Sequence, residues 1–200
     1  APGTPAAAAA ARLKDGALMA LGSVHGRLVQ SDGTAGSLLA AVRDHVLPVL
    51  APGGGDPPFL IARAAWLIGQ FAAPEWSAFT DTVGVDAVVG LLGCLDHPSV
   101  AVRATAAGAL LPYATVDAEA VLSHLRSTVP ALLERLILLT DTMAGAGSDG
   151  AMVMETMERY MGRFADEVAP LVPALTQRLV GAFLRTAPSA AAGDGGRTLA

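Results

Sequence analysis

Cysteine is nearly missing: Cys94 is the only one among 200 residues. No disulfide can form within the chain, which suits a reducing compartment without requiring one. Aromatic residues make up only 4% and charged residues 16%. Basic residues are outnumbered, with 13 Lys and Arg against 18 Asp and Glu, for a net charge of −5. Neutralising phosphates needs a basic surface, so the balance argues against direct nucleic-acid binding. Long uncharged runs are absent too. The longest stretch free of Asp, Glu, Lys, Arg and His is residues 104–116, 13 residues with Pro112 inside. A membrane-spanning helix needs about 20, so no membrane insertion is expected. Nor does any segment alternate apolar and polar residues long enough to read as a strand.

What is present is apolar and small. The chain is 52% hydrophobic, mainly Ala and Leu, which suits closely packed helices and argues against disorder. One stretch organises the rest: Asp96-His97-Pro98-Ser99-Val100-Ala101-Val102-Arg103, running on to Leu110. It reads as the opening of a helical repeat, with Asp96 as a cap and Pro98 in the first turn. Asp56-Pro57-Pro58-Phe59-Leu60-Ile61-Ala62-Arg63 repeats the Asp-to-Arg separation, and Arg63 and Arg103 lie 40 residues apart. Val129-Pro130-Ala131-Leu132 returns as Val172-Pro173-Ala174-Leu175, 43 residues later. Leu47-Pro48-Val49-Leu50 precedes the first copy by 82 residues, about two periods. Periods near 40 that hold two helices are the mark of HEAT or armadillo solenoids.

The spacing predicts an all-α, right-handed solenoid of about four antiparallel pairs over residues 12–186. Residues 1–11 read as a low-complexity linker: no basic residue precedes the alanines and no Leu-type apolar core follows, so they do not read as a signal peptide. Residues 187–200 read as a flexible tail. The first pair is residues 12–30, with Leu13, Ala17, Leu21, Val24 and Leu28 as its stripe, and residues 36–50, bent near Pro48. The second is residues 58–72, stopped by Pro74, and residues 77–95, broken near Gly84. The third is residues 99–114 and a segment from 117 or 118 to about 140, divided at Pro130 because an interior proline costs about 3 kcal/mol. The fourth is residues 151–165 and 168–185, with Val168, Leu171, Val172, Leu175, Leu179 and Phe183 as the most regular stripe. A series of this kind without polar end caps points to a segment of a longer protein, and position 1 is not Met.

Candidate chemistry is sparse. Gly145-Ala146-Gly147-Ser148-Asp149-Gly150 matches GxGxxG, with Asp166 and Glu167 beyond it. That fingerprint has meaning only after a buried strand, and the preceding segment has helical spacing. His25, His45, His97 and His124 form no metal spacing with each other or with Cys94. Ser23, Ser77 and Ser123 lack a nucleophile-elbow setting. Cys94 sits among Leu91, Leu92 and Leu95 and reads as a small buried apolar residue. Asp166 and Glu167 precede the last helix, where negative charge meets the positive end of its dipole. Arg63 and Arg103 read as stitches between adjacent repeats, each bonding a neighbouring carboxylate or carbonyl, and Trp66 and Trp76 as packing between helices. No cofactor and no enzymatic activity are expected. Asp56, Arg63, Trp66, Asp96, Arg103, Pro130 and Pro173 are the repeat positions.

Several stretches, in order and spacing, resemble the middle of the importin-β superfamily. They are Lys14-Asp15-Gly16-Ala17-Leu18, His45-Val46-Leu47-Pro48, Ala62-Arg63-Ala64-Ala65-Trp66, Pro98-Ser99-Val100-Ala101-Val102-Arg103-Ala104 and Phe164-Ala165-Asp166-Glu167-Val168-Ala169-Pro170. The importin seven and eight type is the subgroup they resemble most. The exportin that recycles importin α has a similar Lys-Asp stretch and is the alternative, beside HEAT scaffolds of phosphatases or assembly complexes. The resemblance covers residues 13–186. It implies a nuclear import receptor, a long series of HEAT repeats shuttling between cytoplasm and nucleus. It implies binding of protein cargo, including basic proteins such as ribosomal proteins or histones, of the small GTPase Ran with GTP, and of phenylalanine-glycine nucleoporins in apolar grooves of the outer helices. The long acidic loop and the N-terminal Ran-binding repeats of that family are not in this sequence, so the resemblance transfers no contact residue.

Overall fold

A computed structural model describes residues 4–31, 33–72, 76–143 and 148–186. These form helices α1 (Pro5–Val29), α2 (Ala35–Ala41), α3 (Leu47–Leu50), α4 (Pro58–Phe71), α5 (Ser77–Cys94), α6 (Val100–Leu110), α7 (Glu119–Thr142), α8 (Ser148–Arg163), α9 (Ala165–Val168) and α10 (Val172–Thr186). Among the described residues there is no strand. The helices stack in two layers. In the first, α4 packs on both α1 and α6, and α6 on α8. In the second, α5 packs between α3 and α7, and α7 contacts α9 and α10. This is an all-α solenoid of HEAT-like helix pairs. Its core is one continuous apolar cluster between the layers, from Leu18 to Leu175.

Several local features differ from the sequence expectation. Residues 5–11 are not linker but the first turns of α1. Thr4 caps them, its Oγ1 accepting the Ala7 N–H at 3.2 Å, and Pro5 takes the first helical position. Alanine is the strongest helix former, so a capped alanine run extends a helix that begins further on. The expected stripe on α1 is only partly the packed face: Leu21 and Leu28 pack half-buried against the core, Leu13, Ala17 and Val24 are exposed, and Leu18 and Gly22 are the buried residues. Similarly, Val172 is half exposed on α10, whereas Val168 and Leu175 are buried. Leu179 and Phe183 lie outside the residues whose side chains are described, as do Asp32, Pro74 and the tail from 187 on.

Proline effects are also displaced. No break occurs at Pro130; α7 is continuous through it. Leu125, Val129, Leu132 and Leu133 are fully buried on both sides of it, and that burial outweighs the lost hydrogen bond. In the preceding turn, Ser127 Oγ and Thr128 Oγ1 donate to the His124 carbonyl at 2.7 and 3.0 Å. Near Pro48 the irregularity falls earlier, as one wide π turn over Val42–Val46 that closes with the Leu47 N–H on the Val42 carbonyl. A proline cannot reach the carbonyl four residues back, and the wide turn relieves that clash. Pro112 has its effect too: α6 ends at Leu110 and passes into a 3₁₀ segment, Leu111–Thr115.

Helix α5 is unbroken at Gly84. A Cβ there would lie 2.8 Å from Val121 Cγ2, so the glycine permits close approach of α7. By length and composition α5 is apolar enough to cross a membrane, contrary to the expectation from charge-free runs. It is a core helix here, with half of that stretch inside the structure.

Candidate functional site: an apolar groove on the first layer

The repeated Asp and Arg positions end in different surroundings. Arg63 Nε donates to Asp15 Oδ1 at 2.9 Å, joining α4 to α1. Arg103 Nε is buried without a hydrogen-bond partner among the described residues. Asp96 does not cap α6. Its carboxylate instead meets Arg135 Nη2 at 3.0 Å. Helix α6 starts after Ser99, whose N–H is taken by His97 Nδ1 at 3.0 Å, so Pro98 precedes the helix rather than entering it. Asp56 does not cap α4 either; Pro57 is its cap residue, without a side-chain bond, and Pro58 opens the helix. Pro173 is the second residue of α10 and Pro130 lies inside α7, so the two Val-Pro-Ala-Leu copies are not equivalent.

Further ion pairs join the second half. Arg163 Nη2 bonds Asp117 at 2.8 Å, and Arg126 lies 3.6 Å from Glu167. Glu167, with Asp166, begins α9. Cys94 is buried with Sγ 4.0 Å from the Leu50 carbonyl, and desolvation raises its thiol to about 11. Trp76 is buried and stacks on Phe79 at 5.1 Å. The start of the GxGxxG match, Gly145 to Gly147, lies outside the described residues. A helix, α7, precedes it, so the strand that a dinucleotide fingerprint needs is not there. Among the described residues no three His, Cys, Asp or Glu side chains come together.

An apolar concavity that can receive a ligand lies where α4, α6 and α8 meet. A groove of about 520 Å³ is lined chiefly by Trp66, Gly69, Ala104, Gly108, Pro112 and Met152. Small residues form its floor because the helices approach closely there: a Cβ on Gly69 would stand 2.8 Å from Ala109 Cα. Trp66 and the half-exposed Met152 supply large apolar walls. Gln70 and Thr105 are its polar members, and the Thr105 hydroxyl is already donated to the Ala101 carbonyl at 2.8 Å. No ionisable side chain lines it. It can bind an apolar side chain, and it holds no acid or base for proton transfer. Sequence reasoning singled out Trp66 but assigned it to packing. The groove was missed because its floor is Gly and Ala from separate helices.

The fold and groove define a HEAT-like helical segment with a non-polar groove on its first layer. The chain is similar to a protein of Arabidopsis thaliana described as an importin beta-like SAD2 homolog, with 30% identity over 175 residues. The match takes in 87% of this chain and 16% of that protein, so the chain spans about one sixth of its length. No family description matches the chain, and no solved structure does.

Proposed function

We propose that this chain is a segment of a nuclear transport receptor of the importin-β superfamily, of the importin seven and eight type. The observation that carries the reading is the similarity to an importin beta-like protein across almost all of a HEAT-like solenoid. Its work is binding and release, without catalysis. The groove beside Trp66 receives the phenylalanine side chain of a phenylalanine-glycine nucleoporin segment. An aromatic ring fits between indole and thioether, where aromatic and sulfur contacts add to apolar burial. Cargo binds on the second layer, where Asp44, Asp81, Asp86 and Glu134 are exposed and suit a basic protein. Ran with GTP governs release, and the receptor shuttles between cytoplasm and nucleus.

The test is titration of the chain with phenylalanine-glycine peptides, read by tryptophan emission, with serine replacing phenylalanine as control. Binding lost with the serine peptide and in Ala104→Trp, which fills the groove, supports the reading. Equal binding of both peptides rejects it. Pull-down with Ran loaded with GTP or GDP, together with a basic cargo, separates a transport receptor from a HEAT scaffold of another class.

A further inference from the structure

We infer that α1 sets the shape of the groove through Trp66, so that filling the groove and docking α1 are energetically coupled. The inference rests on the groove being a peptide site, and it adds how that site is controlled.

Trp66 is held by α1 in two ways. The outer edge of its indole lies over Gly22: a Cβ there would be 2.3 Å from Cζ3 and 2.4 Å from Cη2. Only glycine leaves room for the ring in this position. The second hold passes through Arg63. Its guanidinium sits 5.4 Å from the centroid of the Trp66 ring, within cation–π range. Its Nε is fixed by Asp15 of α1 at 2.9 Å, with both side chains mostly shielded from solvent. Asp15 and Arg63 are therefore positioning residues, and Trp66 carries their effect to the groove wall.

The coupling runs both ways, as linkage requires. A ligand packed against the indole favours the rotamer seen here, and that rotamer matches the docked α1. Helix α1 is open to such a bias. Of its 25 residues only Leu18 and Gly22 are fully buried, with Ala11, Leu21, Leu28 and Val29 packed partly buried on the core, and a helix docked by one such face can open locally without unfolding the rest.

The experiment uses the 200-residue chain carrying Trp76→Phe, which leaves Trp66 as the only tryptophan. The probe is a synthetic peptide with two Phe-Gly pairs. Saturating peptide slows hydrogen exchange of the α1 amides. Asp15→Asn weakens the peptide about three- to tenfold, a coupling of ordinary size, and raises acrylamide quenching of Trp66. Asp15→Glu restores both. Gly22→Ala, which displaces the ring, weakens binding further. Peptide binding that leaves α1 exchange unchanged, or that Asp15→Asn does not alter, overturns the coupling while the groove reading stands. A parent chain that binds no peptide removes the groove reading, and the coupling with it. Quenching still reports whether α1 positions Trp66, and a Trp66 insensitive to both substitutions rejects that as well.

Discussion

The phenolic hydroxyl of Tyr160 donates to the main-chain carbonyl of Leu110 at 2.9 Å, across 50 residues of sequence. Thr156 makes the matching bond one turn earlier on α8, from Oγ1 to the Ala107 carbonyl at 3.1 Å. Both residues are fully buried. The end of α6 leaves carbonyls without helical partners, and α8 supplies one of the missing donors. Tyr160→Phe keeps the ring and its stack on Phe164 but removes the bond from α8 to the carbonyl of Leu110, which also caps the following 3₁₀ segment. The expected loss is about 0.5–1.5 kcal/mol, read from urea denaturation. A loss below a few tenths would show that water replaces the hydroxyl.

Alkali should unfold this protein through its tyrosines. Tyr113 and Tyr160 are the only two in the chain. Burial raises both phenols above the ordinary value of 10, and Tyr160 adds to the rise at Tyr113. The folded state thus holds these protons more tightly than the unfolded chain does. Their stabilising effect is complete below pH 10 and is lost as pH rises above it. Phenolate absorbance should therefore appear together with loss of helical circular dichroism. Ionisation of either tyrosine while the helices remain intact would contradict the burial.

Arg63 and Arg103 occupy matching repeat positions but should respond differently to substitution. Arg63→Ala removes a partly buried ion pair and the cover over Trp66, at a cost of about 1–2 kcal/mol. Arg103→Met removes a buried Nε that has no acceptor among the described residues and keeps an apolar stem. It should be neutral or stabilising. Thermal melting of the two variants decides the matter, and equal losses would mean that the positions are equivalent after all.

The pairs were legible in the sequence because apolar stripes, glycines and prolines delimit helices on their own. Details that depend on neighbours were not. The stripe through Leu13 and Val24 is a valid helical face, yet α4 packs beside Gly22, and a glycine has no apolar signal to find. Asp96 has the right chemistry for a cap, but Arg135 draws its carboxylate away. The groove escaped for the same reason as Gly22, since backbone proximity leaves no hydrophobic trace.

Pro130 shows tertiary packing overriding local preference, and that can be measured. Pro130→Ala returns an N–H to the Arg126 carbonyl inside α7. It also frees the unfolded chain, which offsets part of the gain. The net expectation is about 1–2 kcal/mol of added stability from the roughly 3 kcal/mol an interior proline costs. Unchanged denaturation midpoints would mean that the freer unfolded chain offsets the whole of the returned bond.

Two glycines in the groove floor should give opposite results. A Cβ on Gly69 would meet Ala109 Cα at 2.8 Å and its carbonyl oxygen at 3.3 Å. Those are backbone atoms of a packed helix, so Gly69→Ala must push α6 away from α4. Overpacking of that kind costs about 1–3 kcal/mol and exceeds the 0.5–1 kcal/mol, roughly, by which alanine favours a helix. A Cβ on Gly108 would meet the Met152 sulfur at 2.3 Å, closer still. Yet Met152 is half exposed and unbranched, and its thioether can swing aside at little cost. Gly108→Ala should therefore leave stability unchanged or raise it slightly, while moving a groove wall and altering peptide affinity. The nearer contact is the cheaper one, because what matters is whether the atom in the way belongs to a rigid backbone or to the end of a flexible side chain. Melting and peptide titration on both variants test this, and a destabilised Gly108→Ala would show that Met152 is held in place by more than the groove.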